Sequence, residues 1–238
     1  MTGTLYVIGV GPGDPELLTL KAARIIREVP CICVPKGREE GSSLALSIVK
    51  KIISLDSKNI IEAHFPMRKT KKSSDMSELD TKWNETVATV MGVLDSGTDM
   101  AFITIGDPTV YSTFFYLYYR LLELNPSLTI EIVPGISSIM ASAARAKISL
   151  GLADEKIAVL PATYADDISA VLAHFDTVVL MKVHKVFDRI ILELDKAGLT
   201  NKAVYISRAG MDDEEVIHNI TMLRGKELNY FSMVIVKK

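Results

Sequence analysis

The sequence predicts an α/β protein of two α/β domains, the first on a mostly parallel, doubly wound sheet and the second on a mixed sheet. Three observations predict it. Short β-branched runs alternate with helical patterns along most of the chain. Glycine-bearing turns stand at the exits of three apolar runs, GVGPGD (9–14), GDP (106–108) and VPG (133–135). Near the C-terminus two strand-like pieces follow one another with no long helix between them.

Each element can be justified in order. TLYVIGV (4–10) is a short apolar run ended by glycines, hence a strand, and ELLTLKAARIIRE (16–28) has the apolar spacing of an amphipathic helix. CICVP (31–35) and NIIEAHF (59–65) read as strands flanking a helix over SSLALSIVKKII (42–53). The polar stretch 66–82 reads as a loop and WNETVATVMGVLDSG (83–97) as a helix. MAFITIG (100–106) is a strand, TVYSTFFYLYYRLLEL (109–124) a helix, TIEIVPG (129–135) a strand and SSIMASAARAKI (137–148) a helix. Phe114, Leu117 and Leu121 share one helical face and are expected in the core. Beyond them KIAVLPAT, DDISAVLAHF, TVVLMKV, VFDRIILELDKAG and AVYISRAG continue the strand–helix alternation. EVIHNITML (215–223) and YFSMVIVKK (230–238) then suggest an antiparallel hairpin. Setting the boundary within the aromatic helix, ahead of Asn125-Pro126, gives domains 1–118 and 119–238.

The 238 residues are 48% apolar, enough for one large core or two smaller ones. A net charge of −2 speaks against a general nucleic-acid binder. No apolar run approaches the ~18 residues of a membrane span, and MTGTLYVIGVGPGD lacks the basic start of a signal segment. A cytoplasmic protein is expected. Cys31 and Cys33 alternate on one strand face, a poor geometry for a disulfide, so both are expected as buried thiols. His174, His184 and His218 show no metal-ligand spacing.

GVGPGD invites a dinucleotide-site reading. The fingerprint requires Gly or Ala where Asp14 stands, and the next strand should end in an acid but ends CVPKG. Asp14, Pro15 and Glu16 suit a helix start as cap, first position and first-turn acid, and they would repel a pyrophosphate. Two readings remain: a tight strand-to-helix turn, or glycines Gly11 and Gly13 around Pro12 that let a flat substrate approach the backbone. At GDP, Asp107-Pro108 could be a helix cap, or Asp107 could attract a cationic group beside the bare backbone of Gly106.

VIGVGPGDPELLTLKAARII, ITIGDPTVYSTF and IEIVPGISSIMASAARA occur in that order, each at a strand-to-helix turn. Together they resemble the tetrapyrrole (corrin/porphyrin) methylase family, and the likeness covers essentially the whole chain. TVYSTF after GDP and SSIMASAARA are similar to the branch that methylates C-20 of precorrin-2 or its cobalt form in cobalamin biosynthesis. The resemblance implies S-adenosylmethionine as methyl donor in a cleft between two α/β domains, a tetrapyrrole substrate and a homodimer. It implies no protein-bound metal, any cobalt arriving within the substrate. Carried over by motif, Gly106, Asp107, Val110, Tyr111, Ser137, Ser138, Met181, Ala209, Gly210, Ser232 and Met233 line the donor. Tyr111 and Asp107 are the candidates for a catalytic base. Gly11, Pro12, Gly13, His64, Met67, Arg68 and Lys69 are the substrate-side candidates. The basic cluster Arg68, Lys69, Lys71 and Lys72 is either a clamp for substrate carboxylates or a solvated loop.

Overall fold

The computed structural model describes residues 2–36, 43–64, 76–164 and 167–238. It forms two compact units, Met1–Ser137 and Ser138–Lys238. The first holds β1 (Leu5–Gly9), α1 (Leu20–Glu28), β2 (Cys31–Lys36), α2 (Leu44–Lys50), β3 (Asn59–His64), α3 (Met76–Asp95), β4 (Met100–Thr104), α4 (Phe114–Leu124) and β5 (Ile130–Val133). The sheet runs β3-β2-β4-β1-β5, and every pairing in it is parallel. Alternation along the strands separates two cores. Ile8, Ile32, Val34 and Ile103 meet α1 and α2 on one face, while Val7, Cys31, Cys33 and Phe102 meet α3 and α4 on the other. Helices on both faces explain why these strands are apolar throughout.

Phe114, Leu117 and Leu121 are fully buried in the second of these cores, each contributing about 1.5–3 kcal/mol of hydrophobic burial. Both cysteines are buried free thiols. Burial, with Cys31 alongside, pushes the Cys33 thiol up to about 12.

The first unit extends past the boundary at 118 expected from sequence, because β5 pairs with β1 and completes the parallel sheet. Helix limits also shift: α1 starts at Leu20 rather than 16, and α2 spans Leu44–Lys50 rather than 42–53. α3 starts at Met76, inside the stretch read as a loop. Its polar first turns are tied to α4: the Arg120 guanidinium donates to Asp80 and Asn84, each at 2.6 Å. α4 starts at Phe114, five residues later than 109, because residues 109–113 form a turn containing Tyr111 at φ 53°.

The second unit opens with α5 (Ser138–Ala146), followed by β6 (Ile157–Pro161), α6 (Ile168–His174), β7 (Thr177–Met181), α7 (Phe187–Ala197), β8 (Ala203–Ser207), β9 (Glu215–Ile217) and β10 (Ser232–Lys237). Its sheet runs β6-β7-β10-β8-β9, with β6 parallel to β7 and β10 antiparallel to both neighbours. The C-terminal hairpin expected from sequence does not form. β9 pairs with β8, and β10 inserts between β7 and β8. The cause is apolar content: Met233, Val234, Ile235 and Val236 are all buried and need strands on both sides, whereas the short β9 suits an edge.

Candidate functional site

In the first unit the chain leaves β1 toward β2 on one side and leaves β4 toward β5 on the other, so adjacent β1 and β4 mark a topological switch point. In open parallel sheets ligands bind beyond the carboxyl ends of such strands. Here those ends meet through glycines. Gly11 N–H donates to Gly106 O at 3.3 Å, and Gly106 N–H donates back to Gly11 O at 2.8 Å. Gly106 and Gly11 hold φ of 70° and 80°, a region open to glycine. A Cβ on Gly9 would lie 2.5 Å from Gly106 O, and one on Gly135 only 2.3 Å from that same oxygen. The exits of β1, β4 and β5 are therefore in backbone-to-backbone contact.

Asp107 locks this junction. Its Oδ1 accepts from Thr109 N–H at 2.8 Å and from the Thr109 hydroxyl, while its Oδ2 accepts from Gly135 N–H at 3.0 Å. The carboxylate thus caps a turn of its own chain and ties it to the VPG turn. It is not the N-cap of α4, which starts at Phe114. A carboxylate has about four acceptor positions, so one remains for a ligand. Beyond Asp107, Val110 and Tyr111 project outward, Tyr111 half exposed at 50%. Partial burial raises its phenol above the ordinary value, so it is a neutral hydroxyl at neutral pH. Left-handed backbone in a non-glycine residue costs about 1–2 kcal/mol and clusters at functional sites.

The second unit offers a different surface at its strand ends. Met181, the last residue of β7, is the register partner of Met233 in β10. Both pack with Ala209 and with Ile139 of α5 in one apolar cluster. Ser232 is set apart by strand alternation. It pairs with Ser207 and shares its sheet face with Tyr205, and its hydroxyl donates to Asn229 O at 2.6 Å. What Ser232 presents on the Met233 side is backbone. Lys182 and Arg208, both left-handed at φ 57° and 52°, donate backbone N–H bonds to Ser232 O and Phe231 O. Gly210 follows with φ 77°.

The family model for Tetrapyrrole (Corrin/Porphyrin) Methylases matches residues 4–221. The chain belongs to the tetrapyrrole methylase family. Two relatives of this methylase cover it nearly end to end. It is 36% identical to a cobalt-precorrin-2 C(20)-methyltransferase of Salmonella typhimurium, over 100% of this chain and 98% of the relative. It is 37% identical to a probable cobalt-precorrin-2 C(20)-methyltransferase of Methanocaldococcus jannaschii, over 98% of this chain and 96% of the relative. Among solved structures, cobalt precorrin-4 methyltransferase superposes with a TM-score of 0.74 at 20% identity, covering 98% of this chain and 94% of that one. Uroporphyrin-III C-methyltransferase of Thermus thermophilus, complexed with S-adenosylhomocysteine, gives 0.68 at 19% identity, covering 99% of this chain and 98% of that one. Both share the fold.

Within this tetrapyrrole methylase the residues expected from sequence fall into two sets. Gly106, Asp107, Val110, Tyr111 and Ser137 belong to the first unit, and Ser138, Met181, Ala209, Gly210, Ser232 and Met233 to the second. Gly11, Pro12 and Gly13 are buried, and Gly11 is committed to holding the GDP turn. Asp14 accepts from Glu16 N–H at 2.9 Å and caps a short 3-10 turn, while Thr19 caps α1. His64 ends β3. Met67, Arg68, Lys69, Lys71 and Lys72 lie outside the described residues. Sequence reasoning missed Thr109, Gly9, Glu214 and Arg145. Thr109 was legible as an Asx-turn partner of Asp107, whereas the distant pairings had no local signal. Among the described residues no group of three or more His, Cys, Asp or Glu could hold a metal ion, and no helix is long and apolar enough to cross a membrane.

Proposed function

We propose that this tetrapyrrole methylase transfers a methyl group from S-adenosylmethionine to C-20 of cobalt-precorrin-2 or cobalt-factor II in cobalamin biosynthesis, as a cytoplasmic homodimer. The observation that carries the reading is the grading of identities over 90–100% of this chain. It is 36–37% toward the cobalt-precorrin-2 C(20)-methyltransferases, 29% toward a precorrin-2 C(20)-methyltransferase of Sinorhizobium sp and 24% toward a cobalt-precorrin-4 C(11)-methyltransferase of Priestia megaterium. That gradient favours both the C-20 position and the cobalt form of the substrate.

The residues suit the donor. It carries a sulfonium, an ammonium and a carboxylate but no phosphate, and the glycine junction matches that chemistry, being a bare backbone edge beside one carboxylate. We assign the remaining acceptor position of Asp107 to the ammonium, and the backbone of Gly106, Ser137 and Ser138 to the amino-acid part. Val110 and Tyr111 flank it. Met181, Met233 and Ala209 give an apolar, polarizable bed for the adenine, edged by the backbone of Gly210 and Ser232.

When bound, the sulfonium supplies an activated methyl group, transferred in line as the S–C bond breaks toward sulfur. The electron pair of the C-20 carbon forms the new C–C bond, and the C-20 proton is then lost. The protein's part is mainly to align the two reactants, an effect worth about 7–11 kcal/mol. Asp107 and Tyr111 remain the two candidates to receive that proton. Tyr111, kept neutral by partial burial, orients the reacting edge as a hydroxyl. On the substrate side, Gly11, Pro12 and Gly13 support the trough from beneath. His64, Met67, Arg68 and Lys69 are the other substrate-side candidates, the basic ones suited by charge to its carboxylates. Anaerobic incubation with S-adenosylmethionine and either the cobalt or the metal-free macrocycle tests the reading. One added methyl on the cobalt form, with one S-adenosylhomocysteine released, is expected. Turnover of only the metal-free form would overturn the cobalt assignment.

A further inference from the structure

After β8 come four consecutive acids, Asp212, Asp213, Glu214 and Glu215, and the last three each hold a different point. Asp213 pairs with Arg208, and Glu215 accepts from the Ser207 hydroxyl at 3.2 Å. Glu214 does more. Its Oε2 accepts from Gly210 N–H at 2.6 Å, and its Oε1 accepts from Arg145 Nε on α5, also at 2.6 Å. The Glu214 side chain is largely buried, at 13% exposure, whereas Arg145 is 58% exposed. Of the three acids, Glu214 alone links the loop to another of the elements assigned to the methyl donor.

We propose that Glu214 is a positioning residue for methyl-donor binding: its carboxylate fixes the left-handed Gly210 and docks the 208–215 loop onto α5. The inference rests on the assignment of Ala209, Gly210 and Ser138 to the donor. Glu214 acts through Gly210 and α5, with both carboxylate oxygens already engaged. Its partner Arg145 lies seven residues beyond Ser138 on α5, about 10 Å along the helix axis, at the end where a cation suits the helix dipole. Gly210, at φ 77°, has a wide choice of backbone states. Without the carboxylate its amide loses this partner, and the loop keeps bonds within itself and to β8, among them Met211 N–H to Arg208 O at 2.9 Å, Glu214 N–H to Met211 O at 3.1 Å and the Asp213–Arg208 pair, but not this tie to α5. The same carboxylate thus sets the Gly210 backbone and the distance between loop and helix.

The test is titration calorimetry with S-adenosylmethionine and S-adenosylhomocysteine, paired with steady-state kinetics. Glu214→Ala should weaken donor binding, and raise its KM, by about tenfold or more, the scale of a lost charged hydrogen bond. The tetrapyrrole KM should hold. Glu214→Gln keeps an oxygen for Gly210 N–H and should recover most of the affinity. Arg145→Gln, which removes an exposed pair partner, should cost less than about threefold. Hydrogen exchange across 208–215 in the wild-type protein separates the two layers of the argument. If S-adenosylmethionine protects those amides but Glu214→Ala binds it as tightly as wild type, the positioning role is overturned. If the donor leaves them unprotected in the wild type, the donor assignment itself fails and takes the proposal with it.

Discussion

The two regions assigned to the methyl donor in this methylase are built in opposite ways. At the exits of β1, β4 and β5 the structure works by leaving side chains out. Gly9, Gly11, Gly106 and Gly135 let three strand ends touch, and a single carboxylate, Asp107, ties them. At the end of β8 the chain works by adding side chains, three acids lacing one loop to itself and to α5. The first arrangement is backbone against backbone and has no room to adjust. The second hangs on side chains that are partly exposed and replaceable. Fold and function should therefore fail together at the glycine junction and separately in the second region.

The largest expected effect tests the rigid side. Gly135→Ala places a Cβ 2.3 Å from Gly106 O, where only backbone could yield. It should cost about 2–4 kcal/mol of stability in urea unfolding, at the upper end of overpacking. A neutral result would mean that the junction is loose and the contrast wrong. Asp107→Ala comes next. It frees Gly135 N–H and Thr109 N–H, so stability should fall by about 1–2 kcal/mol, while S-adenosylmethionine binding falls about a hundredfold because the ammonium partner goes too. Unchanged affinity in calorimetry would reduce Asp107 to a tie between turns. Tyr111→Gly sharpens the comparison in the other direction. Relief of the left-handed strain should raise stability by up to about 1 kcal/mol while lowering kcat, a split that a purely structural tyrosine would not give.

The smallest effect concerns pH and lies away from both regions. Cys33 has its thiol raised by burial from 9.0 to about 12. Its folded-state pKa lies above the unfolded one, so this contribution is full below pH ~9 and is lost as pH climbs toward about 12. Cys33→Val should flatten that part of the stability–pH curve relative to wild type. An identical slope in the two proteins would show that the thiol is ionised or solvated in the native state.

The sequence carried the architecture because its apolar periods are long and regular. The parallel strands of the first sheet and the face shared by Phe114, Leu117 and Leu121 could all be read from spacing. Where the reading failed, contacts distant along the chain overrode local pattern. β10 lies not beside β9 but in the gap between β7 and β8, because its four buried apolar residues outweigh the short link. The boundary moved past 118 because β5 closes the parallel sheet. In the candidate site, Gly106 and Asp107 stand out in the sequence from their strand-to-helix turn. The Arg145–Glu214 pair, 69 residues apart, was not. That the Ser232 side chain turns away from Met233 follows from strand alternation, which assigning both residues by motif overlooks.

The measurement that reaches the central claim most directly is a single turnover with methyl-13C-labelled S-adenosylmethionine and cobalt-factor II or cobalt-precorrin-2, read by NMR. The account predicts one labelled methyl, on C-20. A label on any other carbon of the macrocycle, or bound donor with no transfer to either substrate, would contradict it.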